Sequence, residues 1–169
     1  MDEITTSSPT IANTMLAAVA GVSRVERGWG GHFICAHRCQ FRRNTLLTYG
    51  DIKIVVSTVG LMLMDVNKTG SDRFDTIGHN RYYETMAFHA ADDKYQDADV
   101  SRQISFESDW AIAELDAELE ANEMHERVVA EITERLLKGE KFELQTWNKL
   151  GQKTAKTTFW KTEIESNIK

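Results

Sequence analysis

Ile52-Lys53-Ile54-Val55-Val56-Ser57-Thr58-Val59, entered through Tyr49-Gly50-Asp51, is the stretch on which the reading of the fold turns. Its β-branched side chains are stiff at χ1 and fit a pleated, covered surface better than a helix. Apolar residues fall on both faces, so the segment is expected to be a central strand. Tyr49-Gly50-Asp51 is a turn signal, which makes Phe41-Arg42-Arg43-Asn44-Thr45-Leu46-Leu47-Thr48-Tyr49 its hairpin partner.

Further strands are expected on either side. Gly31-His32-Phe33-Ile34-Cys35 and Arg81-Tyr82-Tyr83-Glu84-Thr85-Met86-Ala87-Phe88-His89 have the aromatic and branched composition of strands. In the next segment Val100, Arg102, Ile104 and Phe106 alternate with Ser101, Gln103 and Ser105, the period of a half-covered strand. Asn67 to Asp75 and Asp92 to Asp99 read as loops. From Ser108 the period becomes helical, with Ser108 or Asp109 as cap and acids in the first turn, where the macrodipole favours them. Ile112, Leu115 and Leu119 make one stripe, and Met124, Val128, Ile132 and Leu136 a second, rotated by roughly half a turn. Either the helix breaks near Ala121-Asn122, or one of its faces meets a second subunit. Gly139 is the expected stop.

The expected class is therefore α+β: an N-terminal antiparallel β-sheet of about five strands packed with C-terminal α-helices. At 169 residues and 41% apolar the chain can bury one good core. Residues 1–10 are expected to be a disordered N-terminus, with Ser8-Pro9 opening a short helix that ends at Gly21. Residues 11–141 are expected to form a single α+β domain, and 142–169 a C-terminal extension carrying Phe142, Trp147, Phe159, Trp160 and Ile164. The apolar run Ile52 to Met64 is interrupted by Lys53, Ser57, Thr58 and Gly60, so no membrane span is expected. Met1 to Asn13 holds Asp2 and Glu3 and no Lys or Arg, unlike the start of a secretory signal. Cys35 and Cys39, placed on a strand, would lie about 13 Å apart, too far for a disulfide. Reduced thiols fit a cytoplasmic location.

The net charge of −6 is unevenly spread. Arg24 to Arg43 holds five arginines against Glu26 alone, whereas Glu107 to Glu143 holds twelve acids against four basic residues. Such a chain has two electrostatic sides. The arginines, interleaved with Trp29, Phe33 and Phe41, suit one or two phosphates better than a duplex, so a compact nucleotide ligand is expected and duplex nucleic acid is not. The competing expectation is that these arginines pair with the acidic helix, within the subunit or across a dimer.

Strong catalytic motifs are missing. Gly28-Trp29-Gly30-Gly31 feeds an expected strand rather than a helix, so it is no phosphate loop. His32, Cys35, His37 and Cys39 are metal-ligand types, but on a strand they do not converge as zinc requires, and neither a metal nor a cofactor is expected. His125 lacks the second histidine of a zincin and reads as an exposed helix residue. Arg42 or Arg43, Ser57-Thr58 and Glu84 follow the order used by arginine-type ADP-ribosyltransferases, an enzyme reading that lacks a partner acid for Glu84.

The runs Gly30 to Cys35, Phe41 to Leu47, Ile54 to Gly60, Arg81 to Met86 and Asp97 to Ser101 together resemble small phage and prophage proteins over about residues 25 to 138. The layout, a sheet followed by helices, is similar to that of phage anti-Thoeris sponge proteins, which sequester a cyclic ADP-ribose signal. The resemblance implies a non-enzymatic anti-defence protein, a homo-oligomer in the host cytoplasm, that sequesters a nucleotide-type immune signal. No catalytic residues are then expected, and Arg42, Arg43, Arg81, Tyr82 and Arg102 are the candidate ligand-binding residues. An alternative is a protein-protein inhibitor that engages a host defence complex through its acidic helices.

Overall fold

The Gly50-Asp51 turn closes a long hairpin between β2 (Cys39–Tyr49) and β3 (Ile52–Val66), and the rest of the sheet grows from it. The computed structural model describes residues 21–66, 72–78, 80–104, 110–140, 142–147 and 153–157. The expected N-terminal helix, the cap at Ser108 or Asp109, and Phe159 and Trp160 lie outside them. The other elements are β1 (Ser23–Arg27), β4 (Asp72–Asp75), β5 (Tyr83–Ala90), β6 (Ala98–Ile104), β7 (Ala111–Ile112), α1 (Glu118–Leu137), β8 (Glu143–Trp147) and β9 (Lys153–Thr157).

The fold is α+β. Its one sheet runs β1-β2-β3-β5-β6-β8-β9, with β4 on β3 and β7 on β5, and each pair is antiparallel. As expected, β3 is central, and its segment Ile54, Val55, Val56, Ser57, Thr58 and Val59 is fully covered, each 0% exposed. Register sorts the strands into two faces. One carries the rows Leu47–Ile54–His89, Thr45–Val56–Ala87, Arg43–Thr58–Thr85 and Phe41–Gly60–Tyr83, and α1 packs across β2, β3 and β5 there. The other carries Leu46–Val55–Phe88, Asn44–Ser57–Met86 and Arg42–Val59–Glu84.

Gly60 is where the core needs a missing side chain. A Cβ there would stand 2.4 Å from Cδ1 of Tyr83, whose buried ring lies over the glycine and meets Phe41 edge-on at 5.5 Å. The Tyr83 hydroxyl donates to the Leu115 carbonyl, so the ring is fixed at both ends.

Several expectations are corrected. Gly31 to Cys35 is no strand. It belongs to a loop that ends in a 3-10 turn, Ala36–Arg38, and folds back over the second sheet face, where Phe33 and Ala36 pack against Cys39, Val59 and Ile77. Asp72–Asp75, expected within a loop, pairs with β3. The helix does not break at Ala121-Asn122: α1 is continuous, and Asn122 donates its amide to the Glu118 carbonyl inside it. The two-stripe conflict disappears because Ile112 lies in β7, Leu115 in a turn and Leu119 on solvent, while Ala121, Met124, Val128, Ile132 and Leu136 face the sheet. Gly139, at φ +65°, ends the helix as expected: its N–H reaches the Leu136 carbonyl, and that of Glu140 reaches Arg135. Past it, Phe142 is fully buried in the main core and β8–β9 continues the sheet beside β6, so this part of the expected extension is an edge hairpin. Among the described residues no helix is long and apolar enough to cross a membrane.

Candidate functional site

Polar side chains gather at three places, one on each sheet face and one at the end of the sheet. On the helix face, His125 is completely buried, contrary to the expectation of an exposed residue. Its Nε2 lies 2.7 Å from Thr45 Oγ1 and its Nδ1 2.7 Å from Thr58 Oγ1. Thr45 donates to Glu26, so it accepts from Nε2–H; Thr58 then donates to Nδ1 and accepts from Thr85. The donors run one way, Thr85 to Thr58 to His125 to Thr45 to Glu26. Burial, reinforced by the Arg43 charge, lowers the imidazole pKa to about 3, so the ring is neutral as this chain requires.

One residue on, Glu126 takes a two-pronged bond from Arg24, 2.8 Å on each oxygen, and a 2.7 Å bond from Arg43. Burial works against its charge, but the bonds from Arg24 and Arg43 outweigh it and hold the carboxyl at about 2. The acidic helix thus takes two of the clustered arginines within the subunit. Half-buried and paired with one another, these side chains dock the helix on the sheet.

On the opposite face the loop leaving β1 lays His32 against the sheet. Ser57 Oγ accepts the His32 backbone N–H at 3.2 Å and lies 3.0 Å from Nδ1. The His32 Nε2 lies 3.7 Å from Glu84 Oε2, and Arg81 holds the other Glu84 oxygen at 2.9 Å. A serine, a histidine and a glutamate in succession have the composition of a hydrolytic triad. However, Ser57 is fully buried, and its oxygen already serves the loop backbone. A nucleophile must reach a substrate carbonyl, so this trio acts as a tether for the loop. Of the ADP-ribosyltransferase order, Arg43 and Glu84 face opposite sides of the sheet, whereas Arg42, Ser57 and Glu84 share one face.

The third place is a cleft of about 390 Å³ where the Gly50-Asp51 turn meets the loop after β5. Lys53, His89 and Arg102 line it, together with Asp51, Asp92, Asp93 and Gln96. Arg102 is positioned by donating from Nε to Asp99 at 2.7 Å and from Nη2 to the Ala90 carbonyl, with Asp92 Oδ1 3.5 Å from Nη2, which leaves Nη1 without a partner among the described residues. Asp93 is occupied in shaping the loop, since its Oδ1 accepts the N–H groups of Tyr95 and Gln96. Burial, then the Arg102 charge, lowers His89 to about 4, so it enters the cleft neutral.

The five candidate binding residues do not meet in one pocket. Arg43 is committed to Glu126 and Glu26, Arg81 to Glu84, and Tyr82 packs against the main core. Arg42 is exposed on the opposite face from Arg43. Of the five, Arg102 alone lines the cleft. Lys53 and His89 were not candidates, because one opens a strand and the other nearly closes one, and only the β3–β5 register brings them together. The acidic loop after His89 was the one local signal. Among the described residues no three metal-ligating side chains converge, and Cys35, His37 and Cys39 sit about the 3-10 turn.

Comparison with known proteins finds no matching family model, no similar curated protein and no similar solved structure.

Proposed function

We propose that the protein binds and sequesters a small phosphate-bearing ligand of the nucleotide type without turning it over, and that the cleft beside Lys53 and Arg102 is where it does so. The observation that carries this reading is the mixed lining of the cleft. Lys53 and Nη1 of Arg102, which has no partner among the described residues, suit phosphate oxygens. Asp51 and Asp92 would repel a bare phosphate, but they accept hydrogen bonds from hydroxyl groups, as acids do on the ribose of bound dinucleotides. Sugar hydroxyls beside phosphate satisfy both halves, and about 390 Å³ lies within the range of small-molecule sites. The resemblance to phage proteins adds the context, an anti-defence protein of the host cytoplasm that removes a cyclic ADP-ribose-like or cyclic oligonucleotide signal.

Isothermal titration with cyclic ADP-ribose isomers and cyclic oligonucleotides tests this reading. Binding of one of them, recovery of that ligand unchanged, and at least a roughly ten-fold loss of affinity in Lys53→Ala is the expected result, about 1.4 kcal/mol. Failure of every such nucleotide to bind rejects it.

A second reading has its own observation. Glu114, Asp116, Glu118, Glu120 and Glu123 are exposed around Leu115 and Leu119, the latter 69% exposed. Acids framing exposed leucines suit a basic protein partner, as expected of an inhibitor of a host defence complex.

A further inference from the structure

We infer that Trp29 and Tyr95 form the seat for the base of the bound ligand, at the rim of the cleft. The inference rests on the cleft reading above and deepens it, since it makes the ligand a nucleotide with its base in place rather than a sugar phosphate.

The argument begins with the glycines around Trp29. A Cβ on Gly30 would stand 2.6 Å from the Asp97 carboxylate and 2.8 Å from the Asn44 amide, and one on Gly31 2.9 Å from Ala36. Gly30 also takes φ +84°, a left-handed conformation that glycine adopts readily. The backbone therefore drops onto the sheet immediately after Trp29, and the indole is left standing 44% exposed.

Arg27 holds the indole from one side. Its guanidinium lies 4.7 Å from the ring centroid. That guanidinium is itself fixed, donating from Nε to Asn44 at 2.9 Å and from Nη1 to the Tyr95 and Gln96 carbonyls at 3.1 and 2.7 Å. Tyr95 meets the indole edge-on at 6.2 Å and is 58% exposed. A cation on one side of an indole draws on its electron density, which makes the free side a better partner for an electron-rich base. The seat is built before the ligand arrives, so little ordering cost remains at binding.

Position ties the seat to the cleft. Tyr95 precedes Gln96, a lining residue of the cleft, and Asp93, another, fixes the backbone N–H of both. Since the ribose of a nucleotide separates base from phosphate, a ligand with phosphate at Lys53 and Arg102 and hydroxyls at the acids directs its base toward this rim.

Two probes that differ only by the base test the inference: AMP and ribose 5-phosphate, titrated calorimetrically into the full chain. AMP is expected to bind at least about ten-fold tighter, in keeping with the gain from stacking a base on an aromatic ring. In Trp29→Ala, AMP should fall to the affinity of ribose 5-phosphate, with ribose 5-phosphate itself unchanged. Lys53→Ala should weaken both probes by the same factor, which is the signature of the cleft alone. AMP binding no tighter than ribose 5-phosphate overturns the base seat, as does an unchanged ratio in Trp29→Ala. In either case, binding of ribose 5-phosphate that is weakened by Lys53→Ala leaves the cleft reading standing. Circular dichroism of Trp29→Ala, expected to match the parent, separates loss of stacking from loss of fold.

Discussion

His125 shows most directly how a single buried polar group constrains this protein. Truncating it to alanine opens a cavity and leaves the Thr45 and Thr58 hydroxyls without the imidazole between them. Buried polar groups that lose their partner cost about 1–3 kcal/mol each, so His125→Ala should lower stability by at least ~3 kcal/mol in chemical denaturation. The pH dependence has a definite sign. In the unfolded chain this imidazole takes up a proton below its ordinary value of 6.5, whereas in the fold it stays neutral down to about 3. Stability therefore falls as pH drops from 6.5 toward 3, with a slope of up to about 1.4 kcal/mol per pH unit. His89 adds to the same trend down to about 4, and Glu126 adds its own loss between 4.5 and about 2. His125→Gln should flatten the curve between pH 6.5 and 4, which thermal melts across that range will show. The burial had a signal in the sequence, since His125 falls four residues after Ala121 and seven before Ile132, within the stripe that meets the sheet. Reading only the apolar members of that stripe left it out, and the mid-strand threonines that receive it were not connected with it.

At the scale of elements, β3 and its hairpin with β2 were legible because their causes are local. Branched side chains, a two-residue turn and apolar residues on both faces sit within one stretch of chain. The segment after β1 was misread for the opposite reason. Its aromatic and branched residues match a strand, but its path is set by Asp97 and Asn44, which crowd Gly30 across the sheet. The helical register was read correctly from Met124 to Leu136, but its start was not, because β7 and a turn occupy the space given to the first stripe. Gly60 allows a sharp test of element packing. Gly60→Ala would set a Cβ against both the Tyr83 ring and the Tyr82 carbonyl, which is 2.8 Å from that position, and neither is free to withdraw. A loss of about 1–3 kcal/mol is expected from denaturant midpoints at unchanged m-value, the usual cost of overpacking a core.

Across the whole molecule, part of the charge asymmetry seen in the sequence is met within the subunit. Arg24 on β1 and Arg43 on β2 meet Glu126 on α1, so the basic sheet and the acidic helix are joined beside the core. The cleft and its aromatic rim lie elsewhere, and their residues, drawn from the β1–β2 loop, β3, β5, the loop after it and β6, are far apart in sequence. Apart from the acidic loop after His89, no local pattern announces them. The His125 chain has a last consequence, in time rather than in space. Its imidazole is satisfied only when Thr45 on β2 and Thr58 on β3 already stand side by side, and Thr85 on β5 completes the line. A one-residue slip in any of these strands turns its threonine to the other face. Docking of α1 is therefore expected late in folding, where it checks the register of three strands at once. Kinetic φ-values near zero for conservative variants of His125, beside higher values in the β2–β3 hairpin, are the expected record of that order.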